Sequence, residues 1–469
     1  MNTGEVVNQL LQAISEFNAD EALYWCKILL NRMEREKNIQ VPVDQVITGF
    51  GLGDQDLSKA LGEVLILIAS REDFSVLVER YESVLLDGLN SSDPILQSIC
   101  IRIVLEMGLA SGQSVSEKLL LAALKELNSE HGGVSGRVIE ALMKVENKKT
   151  IESLLLSLPR PTESVAQFRF LEALMIVGQS GESSVILKTF IDELRMLLSM
   201  PDDALLVANG LHTASECVQG RQQYLMLKEN GIIDMIASFC TVEGGVIAAR
   251  SVDFFAQCVL NGAFEVNDAQ DLASILRSGL QTENLDYKSS VVFAICALAS
   301  KNEFFEYAAS MLPSIQHALI YEHSSVQIAA LHGLGIIFKE MSSEKSNFLI
   351  TFNSLLSEPL FTWLHNRALT NFEEQKNAAY FALNGLLSSP EGLKLALDTS
   401  SVLAELLNRD RDESLLGCKW KYGILETIAK RPDLFALLNE PLKAQVLRYL
   451  GQGVVFKAIT TRVAFEPVN

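Results

Sequence analysis

The sequence predicts an all-α protein in which helical hairpins stack side by side into a solenoid. Three observations support this prediction: helical amphipathic periodicity along most of the 469 residues, only 11 prolines, and a small-residue segment that recurs about every 40 residues. Hydrophobic residues make up 48% of the chain, which is enough for a large core. The period is that of HEAT and armadillo repeats, so the predicted fold class is a HEAT/armadillo-like α-solenoid.

The recurring segment lies in the second half of the chain and marks the first helix of each repeat. Successive copies are about 40 residues apart, and one longer step of about 50 residues allows an insertion. Small side chains on this helix let a facing helix approach closely. The copies are Ala208-Asn-Gly-Leu, Ala249-Arg-Ser-Val, Val291-Val-Phe-Ala, Ala330-Leu-His-Gly and Ala379-Tyr-Phe-Ala.

A polar break and a second apolar helix follow each copy, as in the segments that begin at Asn230 and Ser310. The first half of the chain has a looser version of the same pattern. One helix start is marked by Ser92-Asp-Pro94, where an acidic cap precedes a proline suited to the first turn. Candidate helices of this half begin near Leu57, Leu96, Arg137 and Phe168.

The domain prediction is a single solenoid over residues 1–453 and an extended carboxyl-terminal tail over residues 454–469. At about 42 residues each, roughly ten or eleven helical repeats would fill the solenoid. Gly451 and Gly453 are expected to end the last helix, because the Val, Ile and Thr residues that follow disfavour its continuation. We predict that the tail covers the exposed end of the array.

The net charge of the chain, its apolar runs and its amino terminus indicate which partners and which location to expect. A net charge of -19 repels phosphate backbones, so nucleic acid is excluded as a partner and a basic protein surface is favoured. The longest apolar run, around Val64, is far shorter than the roughly 20 residues of a membrane span, so no membrane association is predicted. The amino terminus lacks the features of a secretory signal, which predicts a cytoplasmic location, with or without the nucleus.

No enzyme signature emerges, and no cofactor or metal is predicted. Gly49-Phe-Gly-Leu-Gly lacks the strand that precedes a phosphate loop and is predicted to be a turn between hairpins. Gly133-Val-Ser-Gly-Arg137 has Arg in place of the last glycine of a nucleophile elbow and is predicted to be a loop. The charged segment Asn408-Arg-Asp-Arg-Asp-Glu413 is predicted to be a solvated loop. The seven cysteines lie too far apart in sequence for a zinc site, so each is predicted to be a small buried thiol.

Two segments resemble a known family. Gly220-Arg-Gln-Gln-Tyr-Leu-Met-Leu-Lys-Glu-Asn-Gly-Ile-Ile-Asp-Met-Ile236 resembles a segment of 26S proteasome non-ATPase regulatory subunit 5. Lys419-Trp-Lys-Tyr-Gly-Ile-Leu-Glu-Thr-Ile is similar to the last hairpin of that family, and the segment from Leu447 to Glu466 is similar to its tail. The family has Gly-Pro-Tyr-Tyr where this chain has Gly453-Val-Val-Phe.

The resemblance implies an assembly chaperone for the base of the 26S proteasome regulatory particle. In that family the solenoid binds the carboxyl-terminal domain of an AAA ATPase subunit, in a module with a neighbouring ATPase and a large non-ATPase scaffold subunit. The chaperone leaves before the mature particle is complete. The alternative is a generic armadillo/HEAT protein-protein adaptor in transport or signalling.

The candidate partner-binding residues follow from the geometry expected of such an array. The second helices of the stacked pairs should line the concave side. Their polar or amphipathic positions include Asp234, Gln316, His317, Trp363 and Glu405. Acidic members of this set suit a basic partner surface.

Overall fold

The computed structural model describes residues 2–36, 39, 41–179, 184–200, 202–240, 245–340, 356, 359–398, 402–411 and 414–455. The chain forms two compact units, Met1–Thr213 and Ala214–Asn469. Every regular element within the described ranges is a helix, which confirms the all-α class. The prediction of one continuous solenoid through residue 453 stays a prediction.

In the amino-terminal unit, each helix packs mainly on its neighbour or its next-but-one neighbour in sequence. Its helices are α1 (Thr3–Ser15), α2 (Ala19–Met33), α3 (Val43–Thr48), α4 (Gln55–Ala69), α5 (Phe74–Leu89), α6 (Pro94–Ile101), α7 (Glu117–Lys125), α8 (Gly132–Lys144), α9 (Lys149–Ser157), α10 (Ser164–Gly178) and α11 (Ser184–Leu198). The next helix, α12 (Ala204–Cys217), contains the boundary between the two units. The helices predicted near Leu57, Leu96, Arg137 and Phe168 are confirmed as α4, α6, α8 and α10.

Helix α6 begins as predicted and continues directly into a π-helix. The side chain of Asp93 accepts hydrogen bonds from the amides of Ile95 and Leu96, at 2.8 and 3.0 Å, so the predicted acidic cap is confirmed. The helix widens into a π-helix over Arg102–Gly108. The stretch Pro94–Ser111 is long and apolar enough to cross a membrane by length and composition alone, and 50% of it is buried inside the protein.

The carboxyl-terminal unit continues with fifteen helices among the described residues. They are α13 (Arg221–Glu229), α14 (Ile232–Phe239), α15 (Val246–Leu260), α16 (Val266–Gly279), α17 (Leu285–Ser300), α18 (Phe305–Ala309), α19 (Leu312–Tyr321), α20 (Ser324–Lys339), α21 (Leu360–Ala368), α22 (Glu373–Leu387), α23 (Pro390–Asp398), α24 (Val402–Leu407), α25 (Leu415–Lys430), α26 (Pro432–Phe435) and α27 (Glu440–Gly451). The predicted small-residue segments at Ala249, Val291, Ala330 and Ala379 lie in α15, α17, α20 and α22.

These four helices and α25 form a ladder in which each helix packs on the next. The small residues allow close approach between successive ladder helices. A Cβ atom added to Gly333 of α20 would overlap Cys296 of α17, and one added to Gly385 of α22 would overlap the backbone of Gly335 in α20. Small residues therefore act between repeats, where they bring the first helices together.

The ladder helices run parallel, because the same end of each helix contacts the same end of the next. Near their starts, Lys288 Nζ of α17 lies 2.9 Å from Glu322 Oε1 just before α20. Lys376 of α22 donates to the Ser414 hydroxyl at the start of α25, at 3.2 Å. At the other end, Arg431, directly after α25, donates to the carbonyl of Ser388, directly after α22, at 2.5 Å. The starts of α17, α20, α22 and α25 consequently lie along one edge of the carboxyl-terminal unit.

Three local predictions need correction. The glycine-rich segment near residue 50 is a 3-10 helix over Gly49–Leu52, and only the following Gly53 has a positive φ, of 71°. Residues 133–137, predicted to be a loop, are instead the first part of α8. This helix begins without the strand and the sharp turn that a nucleophile elbow requires. Of the seven cysteines, Cys240 and Cys418 are half-buried and the other five are buried as predicted.

The last helix ends at the two glycines that were predicted to end it. Helix α27 stops at Gly451, and Gly453 has a φ of 81°. Arg409, predicted to be in a solvated loop, instead packs its guanidinium 3.7 Å from the ring centroid of Tyr449. The same guanidinium donates to the carbonyls of Tyr449, Gly453 and Val454, at 2.8, 2.9 and 3.2 Å. The predicted extended tail lies outside the described residues from residue 456 onward.

Candidate protein-interaction surface

The five predicted partner-binding residues lie on second helices of the carboxyl-terminal repeats, on α14, α19, α21 and α24. Asp234 is exposed on α14 and lines a small cleft of about 100 Å³ between α14 and α16. Gln316 is half-buried on α19. The neighbouring His317 is exposed, and its ring centroid lies 5.1 Å from that of Tyr321.

The two remaining predicted residues are committed to contacts within the chain. Trp363 is only 7% exposed, and the Arg367 guanidinium covers its ring at 5.0 Å from the centroid. Glu405 Oε2 lies 2.9 Å from Nε of Arg411 in an ion pair. The residues are thus distributed over separate helices, and their role in partner binding stays a prediction.

A buried carboxylate organises the repeat that contains the first family-like segment. Asp268 of α16 accepts hydrogen bonds from Arg221 and Lys228 of α13, both at 2.6 Å. The hydroxyl of Tyr224 donates to the same carboxylate at 3.2 Å. The Asp268 side chain is only 3% exposed, so these donors replace the water that it loses on folding. The cluster joins α13 to α16.

The electrostatics of this cluster follow from burial and hydrogen bonding. Burial alone would raise the pKa of Asp268, but hydrogen bonds from Lys228, the Glu265 amide and Arg221 outweigh it, so the pKa lies below its usual value. Burial, together with the nearby Asp268 charge, raises the pKa of Tyr224, which keeps this phenol protonated as a donor. Sequence reasoning missed the cluster, although Arg221 and Tyr224 stand in the segment that carries the resemblance.

The second family-like segment also supplies framework residues. The Trp420 indole donates to the side-chain oxygen of Asn377 on α22, at 2.8 Å. Lys421 is completely buried and donates to the Asn408 carbonyl at 2.8 Å. Both family-like segments therefore supply residues that hold helices together, namely Arg221, Tyr224, Trp420 and Lys421.

A large groove in the carboxyl-terminal unit opens beside the starts of three ladder helices. Its volume is about 960 Å³, and residues at the starts of α20, α22 and α25 line it. At its border the Phe372 side chain is 74% exposed, and Glu373 and Glu374 follow it on the first turn of α22. Inside it, Arg367 donates to the side-chain oxygen of Gln327 at 3.4 Å. The surface is open, acidic at its border and partly apolar.

A second groove, of about 610 Å³, lies within the amino-terminal unit. Lys59, Arg102 and Arg137 line it, along with the glycines that begin α8. Each cation already has a carboxylate close by: Lys59 lies 3.5 Å from Asp56, and both arginines lie within 4 Å of Glu106. Its charges are largely compensated within the chain.

The described residues contain no arrangement of three or more His, Cys, Asp and Glu side chains that could hold a metal ion. Burial raises the pKa of the Cys100 and Cys217 thiols to about 12, and that of Cys240 to about 12 as well, so these thiols stay protonated near neutral pH.

Comparison with known proteins finds similarity only at the level of three-dimensional structure. No family model matches the chain, and no curated protein matches it significantly. The karyopherin Kap121p bound to the extreme C-terminus of the protein phosphatase Cdc14p has a TM-score of 0.47 and 14% identity, over 96% of this chain and 49% of that one. Kap121p bound to Ste12p has a TM-score of 0.45 and 15% identity, over 97% and 49%.

An engineered protein has a TM-score of 0.36 and 13% identity, over 96% of this chain and 98% of that one. Relative to the karyopherin, of which 49% is covered, this chain spans about half the length. The class of the protein rests on its own helices and packing: within the described residues it is an α-solenoid protein of the HEAT/armadillo-like kind.

Proposed function

We propose that this chain is a protein-binding scaffold rather than an enzyme, and that its carboxyl-terminal unit carries the binding surface. The observation that supports the proposal is the open groove of about 960 Å³, bordered by an exposed aromatic ring and two carboxylates. A stacked array of helices offers a long, preformed surface of this kind to another protein. A net charge of -19 suits a partner with a basic surface.

The more specific proposal is an assembly chaperone for the base of the 26S proteasome regulatory particle. It rests on the family resemblance of residues 220–236 and of the carboxyl end. Under this proposal the chain binds the carboxyl-terminal domain of a proteasomal AAA ATPase subunit, together with a neighbouring ATPase and a large non-ATPase scaffold subunit. It acts in the cytoplasm, with or without the nucleus, and without a cofactor.

Such a chaperone works by binding one state of its partner more tightly than another. Bound to the free ATPase, it occupies a surface that the ATPase needs for docking on the core particle. It is released once the ATPase ring is complete. Equal affinity for the free and the assembled ATPase would shift nothing, so the mechanism requires a difference between the two affinities.

Capture of the tagged chain from cell extract, followed by size fractionation and mass spectrometry, tests the proposal. We expect proteasomal ATPase subunits and the large scaffold subunit in a complex smaller than the 26S particle. Recovery of intact 26S particles would contradict the chaperone role.

The generic adaptor makes a different prediction for the same capture: a set of partners without proteasomal ATPases. The absence of enzyme activity is tested separately. Purified protein is expected to show no ATP hydrolysis above a buffer control and no stoichiometric zinc by elemental analysis. Turnover that persists through purification would contradict the scaffold proposal.

A further inference from the structure

The starts of the ladder helices carry a row of exposed apolar side chains that the core does not use. Three of them stand at or directly before the first residue of α17, α22 and α25, and the fourth is the last residue of α19, three residues before α20 begins. Their exposed fractions range from 39% to 74%. The row consists of Leu285, Tyr321, Phe372 and Leu415.

Carboxylates accompany this row. Asp286 follows Leu285, and Glu373 and Glu374 follow Phe372, all three exposed. Carboxylates favour the positive end of a helix dipole, which accounts for their position but leaves their outward charge available. The described residues give none of the three an ion pair, and the one cation inside the groove, Arg367, is directed at Trp363 and Gln327. We call the row and these three carboxylates the acidic edge.

We propose that the acidic edge binds an amphipathic basic helix of a partner protein; this inference rests on the protein-binding function proposed above. Packed helices lie about 8–10 Å apart, so the apolar side chains should recur at about that spacing. Two turns of an α-helix span about 11 Å, which matches a partner helix with an apolar residue at every seventh position. A β-strand would place successive anchors three residues apart on opposite faces.

The groove fits the same occupant. Phe372 at its border offers a large exposed ring, and the volume of about 960 Å³ can receive a bulky side chain between α20 and α22. Lysine and arginine side chains flanking the apolar stripe would lie beside Glu373 and Glu374. An acidic segment would meet unpaired carboxylates along the same edge and would be repelled.

The probe is a labelled synthetic peptide of about 22 residues, or six helical turns, with Leu at every seventh position and Lys beside it. A second peptide carries Glu in place of each Lys. Fluorescence anisotropy with the full chain should show binding of the Lys peptide, weaker at high salt because exposed charges are screened. Equal binding of the Glu peptide would overturn the proposal.

Variants locate the binding. Glu373→Gln with Glu374→Gln, and separately Phe372→Ser, should each weaken binding of the Lys peptide about tenfold, or about 1.4 kcal/mol. Serine is a favourable helix cap, so Phe372→Ser is expected to fold. The matched control is Glu117→Gln, an exposed first-turn carboxylate of α7 that should leave binding unchanged. The inference fails if the edge variants bind normally, or if the control loses as much as they do.

The edge and the proposed function can fail separately. If the wild-type chain and the Glu373→Gln, Glu374→Gln variant capture proteasomal ATPases equally well, the chaperone proposal stands and the edge is not its binding surface. If the wild-type chain captures no proteasomal ATPase while the edge variants still weaken peptide binding, the edge stands and the chaperone proposal falls.

Discussion

The two compact units use glycine differently where their helices meet. In the carboxyl-terminal unit, a Cβ atom at Gly385 would overlap the backbone carbonyl of Gly335 on the neighbouring ladder helix. In the amino-terminal unit, Gly62 and Gly88 face the ends of the Ile99 and Cys100 side chains. A side chain can rotate away, whereas a helix backbone cannot move without disturbing its own hydrogen bonds. Gly385 therefore fixes the distance between α20 and α22 through backbone contact, whereas Gly62 and Gly88 contact side chains only.

One ionic cluster from each unit shows a similar contrast. Asp268 in the carboxyl-terminal unit is nearly inaccessible and receives two cationic donors at 2.6 Å. Glu106, on the π-helix of the amino-terminal unit, is 14% exposed and lies 3.0 Å from Lys144 Nζ, with two arginines 3.8 and 3.9 Å away. Short distances and burial make a carboxylate structurally necessary, whereas looser contacts leave it replaceable.

The largest expected effect is at the ladder. Gly385→Ala should destabilise the protein by about 3 kcal/mol, since overpacking against backbone leaves little room for relaxation. Thermal unfolding followed by circular dichroism should show a transition about 6–12 °C lower. Gly136→Ala in α8 is the control: nothing lies within 4 Å of its added Cβ, and alanine should raise stability by up to about 1 kcal/mol. Equal effects of the two substitutions would break the comparison.

The next effect is at the buried carboxylate. Asp268→Asn should cost about 2–3 kcal/mol at pH 7, because Arg221 and Lys228 lose their anionic acceptor, and urea unfolding measures the loss. The expected loss of unfolding free energy is smaller than for a fully buried ion pair, because Arg221 and Lys228 are both partly exposed. Asp271→Asn, an exposed position on the same helix α16, is the control and should change little.

The destabilisation caused by Asp268→Asn is expected to decrease as the pH falls. The pKa of Asp268 is lower in the folded than in the unfolded chain, where it is about 3.9. Its contribution is therefore fully present above about pH 4 and is lost as the pH falls through the folded value. The difference in unfolding free energy between wild type and Asp268→Asn should shrink below pH 4. A difference that grows on acidification would contradict this assignment.

A smaller effect is expected where the ladder ends. Arg409→Ala removes three hydrogen bonds to the end of α27 and should cost about 1–2 kcal/mol. Hydrogen exchange should become faster for the last turn of α27. Arg411→Ala, whose guanidinium pairs with Glu405, serves as the neighbouring control and should leave α27 protected. Unchanged exchange in Arg409→Ala would show that packing alone holds this helix.

The smallest effect is expected at the looser cluster. Glu106→Gln should cost less than about 1 kcal/mol in urea unfolding, because its cations are partly solvated. The exposed Glu140→Gln provides the reference. A cost for Glu106→Gln equal to that of Asp268→Asn would remove the contrast between the two units.

Much of the fold could be predicted from local sequence signals. The ladder helices follow from the small-residue repeat, the start of α6 from Asp93 and Pro94, and the end of α27 from Gly451 and Gly453. These signals act within one helix or one turn, so the sequence contains them directly. The loop predicted at residues 133–137 was wrong because glycines near a helix start resemble a loop when no neighbouring helix is considered.

The candidate site was less accessible to sequence reasoning. Trp363 has the amphipathic character of a surface anchor, yet neighbouring helices bury it. Arg409 stands in a charged run that resembles a solvated loop, and only the position of Tyr449 turns it inward. The recurrence of an apolar residue at each ladder start, as at Leu285 and Phe372, was a signal for the acidic edge, but the sequence gives no exposure for either residue.

The sequence by itself determined the helices, their repeat and the acidic balance of this protein, because periodicity and composition are properties of the chain. The tertiary structure decided which glycines contact backbone, that Asp268 gathers Arg221, Lys228 and Tyr224, and that the ladder starts lie along one edge. These features depend on the meeting in space of residues 40 to 50 positions apart in the sequence. Stacking of successive repeats brings them together, and no local pattern specifies which of them meet.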